Sequence, residues 1–133
     1  MTRNTMRKLK GISGMNDFRF EELTVWKEGI KITIPLLDLA EGAHEKHFYK
    51  FAEQLRGATM SITNNIAEGS GSDSDKDFAW FINMSRRSVF ECVNILFILE
   101  ANNIIESKER SALYPALLSL SKQLNSFRKT LLC

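Results

Sequence analysis

Residues 54–69, QLRGATMSITNNIAEG, hold the densest set of chemically capable side chains in this chain of 133 residues. Gln54, Ala58, Ser61, Asn65 and Glu68 recur there at 4-3-4-3 spacing, which lines up carboxamides, a hydroxyl and a carboxylate along one face of a helix. Exposed helix faces usually carry Lys and Glu, whereas this one carries small and amide side chains. The row is either a close helix contact held by hydrogen bonds, inside one subunit or between subunits, or a solvated face. Glu68 beside Asn65 and Ser61 has the makings of a general-base site, but the segment supplies no His, Lys or metal partner for it. Glu68 therefore reads as structural, accepting hydrogen bonds across a helix contact, with Ser88 or an Arg as candidate donor.

Other constellations fall short of the chemistry they imitate. Glu41-Gly42-Ala43-His44 is one Glu-x-x-His, and a di-iron bundle needs two on separate helices. His44 and His47 are the only imidazoles, so no His-based triad has a convincing site. Asp73, Asp75 and Asp77 mimic the first ligand positions of a calcium loop. That loop needs its turning Gly where Phe78 stands and its bidentate Glu where Met84 stands. A P-loop, a dinucleotide fingerprint and a metalloprotease helix motif are all missing from the sequence. We assign no catalytic residue, no metal ligand and no cofactor.

Phosphate binding is a different case. Arg86 and Arg87 are adjacent, Lys122, Arg128 and Lys129 follow near the C-terminus, and Arg56 lies in the signature segment. On one monomer these read either as a sparse nucleic-acid footprint or as solubilising side chains. An oligomer would multiply each of them, and counterion release scales with the phosphates contacted. The formal net charge is +2. Arg3, Arg7, Lys8, Lys10 and Arg19 against Asp17 put about +4 of it in residues 1–19, leaving the remainder slightly acidic. We divide the chain accordingly into a basic, disordered arm over 1–19 and a folded domain over 20–133.

Length and composition fit one core: 44% hydrophobic and 26% charged residues are ordinary for a soluble domain. Two cysteines, Cys92 and Cys133, make neither a disulfide framework nor a zinc site, which points to a cytoplasmic protein. The longest apolar runs, such as 95–99, are too short to span a bilayer.

Four helices must position these residues, and the pattern contains no convincing strand. The first is expected over about 22–41. Leu23, Trp26, Ile30, Ile34 and Leu37 form one stripe and Val25, Ile32, Leu36 and Leu39 a second; two apolar faces imply a core side and a subunit side. Pro35 should kink this helix or split it near Thr33, and Gly42 marks the connection that follows. The second helix is expected over about 48–68, closed by a left-handed Gly69. Ser74 with Asp77 resembles a capping box, so the third should start near Asp75 and end at Asn102-Asn103. The last carries Leu113, Leu117, Leu120, Leu124, Phe127 and Leu131 at 4-3-4-3-4 spacing, a bundle seam, with an irregular first turn at Tyr114-Pro115. Short connections make the whole an all-α, up-down-up-down antiparallel four-helix bundle.

The chain also resembles a known family. Gln54, Leu55, Arg56, Ala58, Ser61, Ile62, Asn65, Ile66, Ala67, Glu68 and Gly69 match the pattern Q-L-R-R-A-x-x-S-I-x-x-N-I-A-E-G of the rRNA intervening-sequence proteins, formerly named as a ribosomal protein. Gly57 departs from it where Arg is usual. Phe20, Leu23, Val25 and Trp26 match the opening F-x-x-L-x-V-W, and Asp77, Phe78, Phe81, Ser88 and Glu91 match D-F-x-x-F…S-x-x-E. Ser85-Arg86-Arg87-Ser88 departs from the usual A-x-G-S. The resemblance implies a homopentamer of four-helix bundles. It further implies kinship with the accessory variability determinants of diversity-generating retroelements, which bind RNA or DNA and a reverse transcriptase.

Overall fold

The computed structural model describes residues 17–133; most of the basic arm expected over 1–19 lies outside the described residues. A 3-10 turn over Arg19–Glu22 leads into four α-helices. These are α1 (Thr24–Glu45), α2 (Tyr49–Ser70), α3 (Asp75–Ala101) and α4 (Ser107–Leu132). Each helix packs on its chain neighbours and α4 returns to α1, more sparsely than the other pairs meet. That order, with connections of a few residues, is the antiparallel up-down-up-down bundle. Leu36, Leu55, Ile62, Ile66, Phe78, Ile82, Leu96, Leu99, Leu117, Leu120 and Leu124 fill its interior. Each helix turns an apolar stripe inward, and burying those stripes supplies most of the folding free energy.

Several element boundaries depart from the pattern-based expectation. α1 does not end at Gly42 but continues to Glu45, where His47 adopts a left-handed φ of 71°. The Phe48 and His47 N–H groups donate to the carbonyls of Ala43 and His44, which makes a Schellman stop. Asn103, with φ 58°, closes α3 the same way through Ile104 to Leu99 and Asn103 to Glu100. Pro35 does not split α1 near Thr33; the helix runs through it. Pro115 likewise lies inside α4, which begins earlier because the Glu109 carboxylate accepts the Glu106 N–H at 2.9 Å. Ser74 caps α3 as expected, its hydroxyl accepting the Asp77 N–H at 3.1 Å.

Gly69 corrects the expectation most instructively. It is not a left-handed terminator, for the helix continues to Ser70 and no glycine has positive φ among the described residues. It is buried instead. A Cβ there would stand 2.5 Å from Phe81 Cβ and 2.9 Å from Phe78 Cδ1. At Gly69 the Phe78 and Phe81 side chains of α3 occupy the space a Cβ on α2 would need.

Candidate nucleic-acid interface

The polar row on α2 divides between two environments. Ala58 is buried, and Ser61 and Asn65 are half-buried, at the α2–α3 contact. Ser88 Oγ lies 2.8 Å from Ser61 Oγ and 3.1 Å from the Met84 carbonyl oxygen. Asn65 Nδ2 donates to Ser61 Oγ and to the Ser61 carbonyl. Ser85, fully buried, donates to the Ile62 carbonyl at 2.7 Å. Small hydroxyl side chains therefore let two helices approach while satisfying one another. Gln54 and Glu68, at the ends of the row, are exposed. Neither candidate donor reaches Glu68: no Arg pairs with it among the described residues, and the Ser88 hydroxyl sits over Ser61, two turns away along α2.

Nothing in this cluster approaches a nucleophile–base pair. Cys92 is fully buried against Thr59, and burial pushes its thiol up to about 12, so the reactive thiolate is suppressed. His44 and His47 both pack edge-on against Tyr49, with His47 Nδ1 2.6 Å from the Tyr49 hydroxyl. Among the described residues no group of three His, Cys, Asp or Glu side chains is placed to hold a metal ion.

The basic residues fare differently from one another. Arg56 is engaged: its guanidinium pairs with Glu41 at 2.8 Å and Glu53 at 2.7 Å, tying α2 to α1. Those carboxylates, Glu53 first, hold its pKa above the usual Arg value. Arg86, Arg87, Lys122, Arg128 and Lys129 make no ion pair among the described residues, and all lie on the neighbouring helices α3 and α4. Three contacts fix the register of that pair. Arg110 Nε meets Glu100 at 2.9 Å, the Phe97 and Tyr114 ring centroids are 6.3 Å apart, and those of Phe78 and Phe127 are 5.3 Å apart. In this register Arg86 and Arg87 come level with Lys122, and Arg128 and Lys129 follow one or two turns on.

The pattern missed the surface that runs from Arg86 and Arg87 toward the Arg110 end of this helix pair, away from Arg128 and Lys129. Phe90, Phe97, Tyr114 and Leu118 are all exposed, Phe90 by 56%. Phe90, Asn94, Tyr114, Leu118 and Ser121 line a hollow of about 250 Å³ between α3 and α4. The guanidinium of Arg86 lies 4.9 Å from the Phe90 ring centre and that of Arg110 4.7 Å from the Phe97 ring centre. The seven-residue step from Phe90 to Phe97 on an otherwise polar face was the legible signal.

The Arg110–Glu100 pair also makes a pH prediction. Hydrogen bonds from Arg110, ahead of its charge, hold the Glu100 carboxyl below the usual carboxylate range. A carboxyl depressed on folding contributes stability above its unfolded pKa and loses it as pH falls through the folded value. Urea midpoints of Glu100→Gln should therefore lie below wild type at neutral pH and converge on it in acid. A constant offset at every pH would contradict the assignment.

The family model for the 23S rRNA-intervening sequence protein matches residues 21–126. The chain belongs to this family. Among solved structures, a 23S rRNA-intervening sequence protein such as this is similar to a protein of unknown function from the S23 ribosomal protein family of Bacteroides thetaiotaomicron VPI-5482. They share 20% identity at a TM-score of 0.75, over 80% of this chain and 99% of the other. That likeness concerns the fold. No curated protein matches the chain. No described helix of this family member is long and apolar enough to cross a membrane.

Proposed function

We propose that this chain is a non-catalytic, cytoplasmic, homo-oligomeric adaptor that binds RNA or DNA along the α3–α4 side of each bundle. The observation that carries the reading is the set of cations that make no ion pair among the described residues and lie on two neighbouring helices, Arg86, Arg87, Lys122, Arg128 and Lys129, with Lys122 at the edge toward the α1–α4 hollow. Arg56 does not belong to that set, since its charge is spent on Glu41 and Glu53.

Self-association is supported elsewhere on the surface. The sparse α1–α4 seam leaves an open hollow of about 830 Å³, walled by Leu23, Val25, Pro115, Leu118 and Phe127. Ile34 and Leu37 on α1 stay half-buried. A second copy seated there would cover apolar surface that one bundle leaves wet. A ring of five, as the family resemblance implies, would repeat the cations around an axis and strengthen phosphate binding. In its finer form the proposal makes this an accessory protein of a diversity-generating retroelement, with a reverse transcriptase as further partner. The exposed aromatic surface of α3–α4 favours one other reading, a protein-interaction module encoded in an rRNA intervening sequence with no nucleic-acid binding.

Light scattering with and without a structured RNA, at low and moderate salt, tests the proposal. A multimer whose mass rises with RNA at low salt alone is the expected result. A particle near 15.2 kDa that ignores RNA would overturn it.

A further inference from the structure

We infer that the α3–α4 face is a stacking platform for single-stranded RNA, on which Phe90, Phe97 and Tyr114 take bases while Arg86 and Arg87 take phosphates. The inference rests on the adaptor reading and names the ligand and its mode of binding. Asn83, Arg87, Phe90, Asn94 and Phe97 recur at 4-3-4-3 spacing and form one outward stripe of α3. Arg86 flanks that stripe through its contact with the Phe90 ring. Tyr114 continues the surface onto α4, where the Phe97–Tyr114 ring pair joins the two helices, and Leu118 stands on the ridge that separates this hollow from the α1–α4 one. From Arg86 to Phe97 the surface runs about 16 Å along the helix axis, enough for a short run of nucleotides.

Three features separate this surface from an ordinary sticky patch. The rings are interleaved with cations and amides, whereas a contact between copies centres on an apolar core depleted of charge. Phe90 stands beside Arg86, which makes no ion pair among the described residues. A stacking ring and a nearby cation are the two components of single-strand binding, because every splayed base has a face to stack and every link carries a phosphate. A duplex hides its base faces and would use the cations alone. Asn94 and Ser121 line the hollow between Phe90 and Tyr114. Ser121 is buried, its hydroxyl donating to the Leu118 carbonyl at 2.7 Å in the floor of the hollow, and the exposed Asn94 carboxamide beside it can both donate to and accept from a ribose 2′-hydroxyl.

Fluorescence anisotropy of the full chain with labelled oligouridine, oligothymidine of the same length and an RNA duplex tests the platform, with particle mass measured in parallel. The variant is Phe90→Leu/Tyr114→Leu, which keeps apolar bulk and removes two rings. Its affinity for oligouridine should fall about tenfold or more, with duplex binding and mass unchanged, and the single change Phe90→Tyr should bind as wild type does. Undiminished oligouridine binding in the leucine variant, with weakened binding in Arg86→Glu/Arg87→Glu, would overturn the platform while leaving the adaptor standing. Equal affinity for oligothymidine would overturn the RNA assignment. A lower mass for the leucine variant would make the face a contact between copies and overturn the inference. Failure to bind any of the three probes would overturn the adaptor and the platform together.

Discussion

Gly69→Ala should destabilise the protein by about 1–3 kcal/mol, the range for overpacking a close-packed interior. Alanine ordinarily strengthens a helix interior relative to glycine, by about 1 kcal/mol. Here its methyl would stand 2.5 Å from Phe81 Cβ, an atom fixed to the α3 backbone that no rotamer change can move. α2 and α3 must therefore separate, which loosens the Ser85–Ile62 and Ser61–Ser88 hydrogen bonds between them, and the Phe78 ring, 2.9 Å from the added methyl, must shift as well. Gly57 gives the opposite sign from the same substitution. Nothing lies within 4 Å of its would-be Cβ, so Gly57→Ala should stabilise by about 0.5–1 kcal/mol through helix propensity alone. Paired urea titrations decide the matter, and a Gly69→Ala protein as stable as wild type would show that the α2–α3 contact is looser than described.

These two glycines show how far the sequence can be read. Helix identity was legible because the core stripes repeat at helical spacing over many turns, so Leu113, Leu117, Leu120 and Leu124 face inward as expected. Helix ends were legible where a side chain announces them, as Ser74 does. They were not where the stop is made by backbone geometry at an uncommon residue, as His47 makes it. Gly42 looked like a terminator and is interior to α1; Gly69 looked like another and is a contact point. A glycine in sequence signals that a Cβ is absent, without saying whether backbone conformation or a neighbour forbids one.

The same limit applies to the candidate site. The spacing of Ser61 and Asn65 marks a polar face that suits either a close helix contact, within or between subunits, or solvent, and the structure sets Ser61 against Ser88 of α3. Partner choice depended on the axial offset between two helices, and periodicity carries no information about that offset. Ser88 was therefore one of two candidate donors to Glu68, beside an Arg, whereas the register gives Ser88 to Ser61. Arg56 resembled a free cation for a related reason, since the carboxylate of Glu41 that captures it lies fifteen residues away on another helix.

Arg86→Glu/Arg87→Glu should lower nucleic-acid affinity at low salt by at least about tenfold and flatten its salt dependence. Arg87 is exposed and Arg86 half-buried against the Phe90 ring, and neither lies in the buried core. Removing one phosphate-binding cation should reduce the slope of log affinity against log salt by about 0.7 for a single strand and about 0.9 for a duplex. Arg56→Glu is the informative contrast. It introduces the same charge change per residue, yet its guanidinium already neutralises Glu41 and Glu53 and offers little to a phosphate. Its salt slope should match wild type even if the α1–α2 contact weakens. If reversal at Arg56 flattened the slope as much as reversal at Arg86 and Arg87, binding would track overall charge, and the α3–α4 face would lose its claim to the site. If neither reversal changed the slope, the cations of this bundle would be solubilising side chains, and the protein-interaction reading would take precedence.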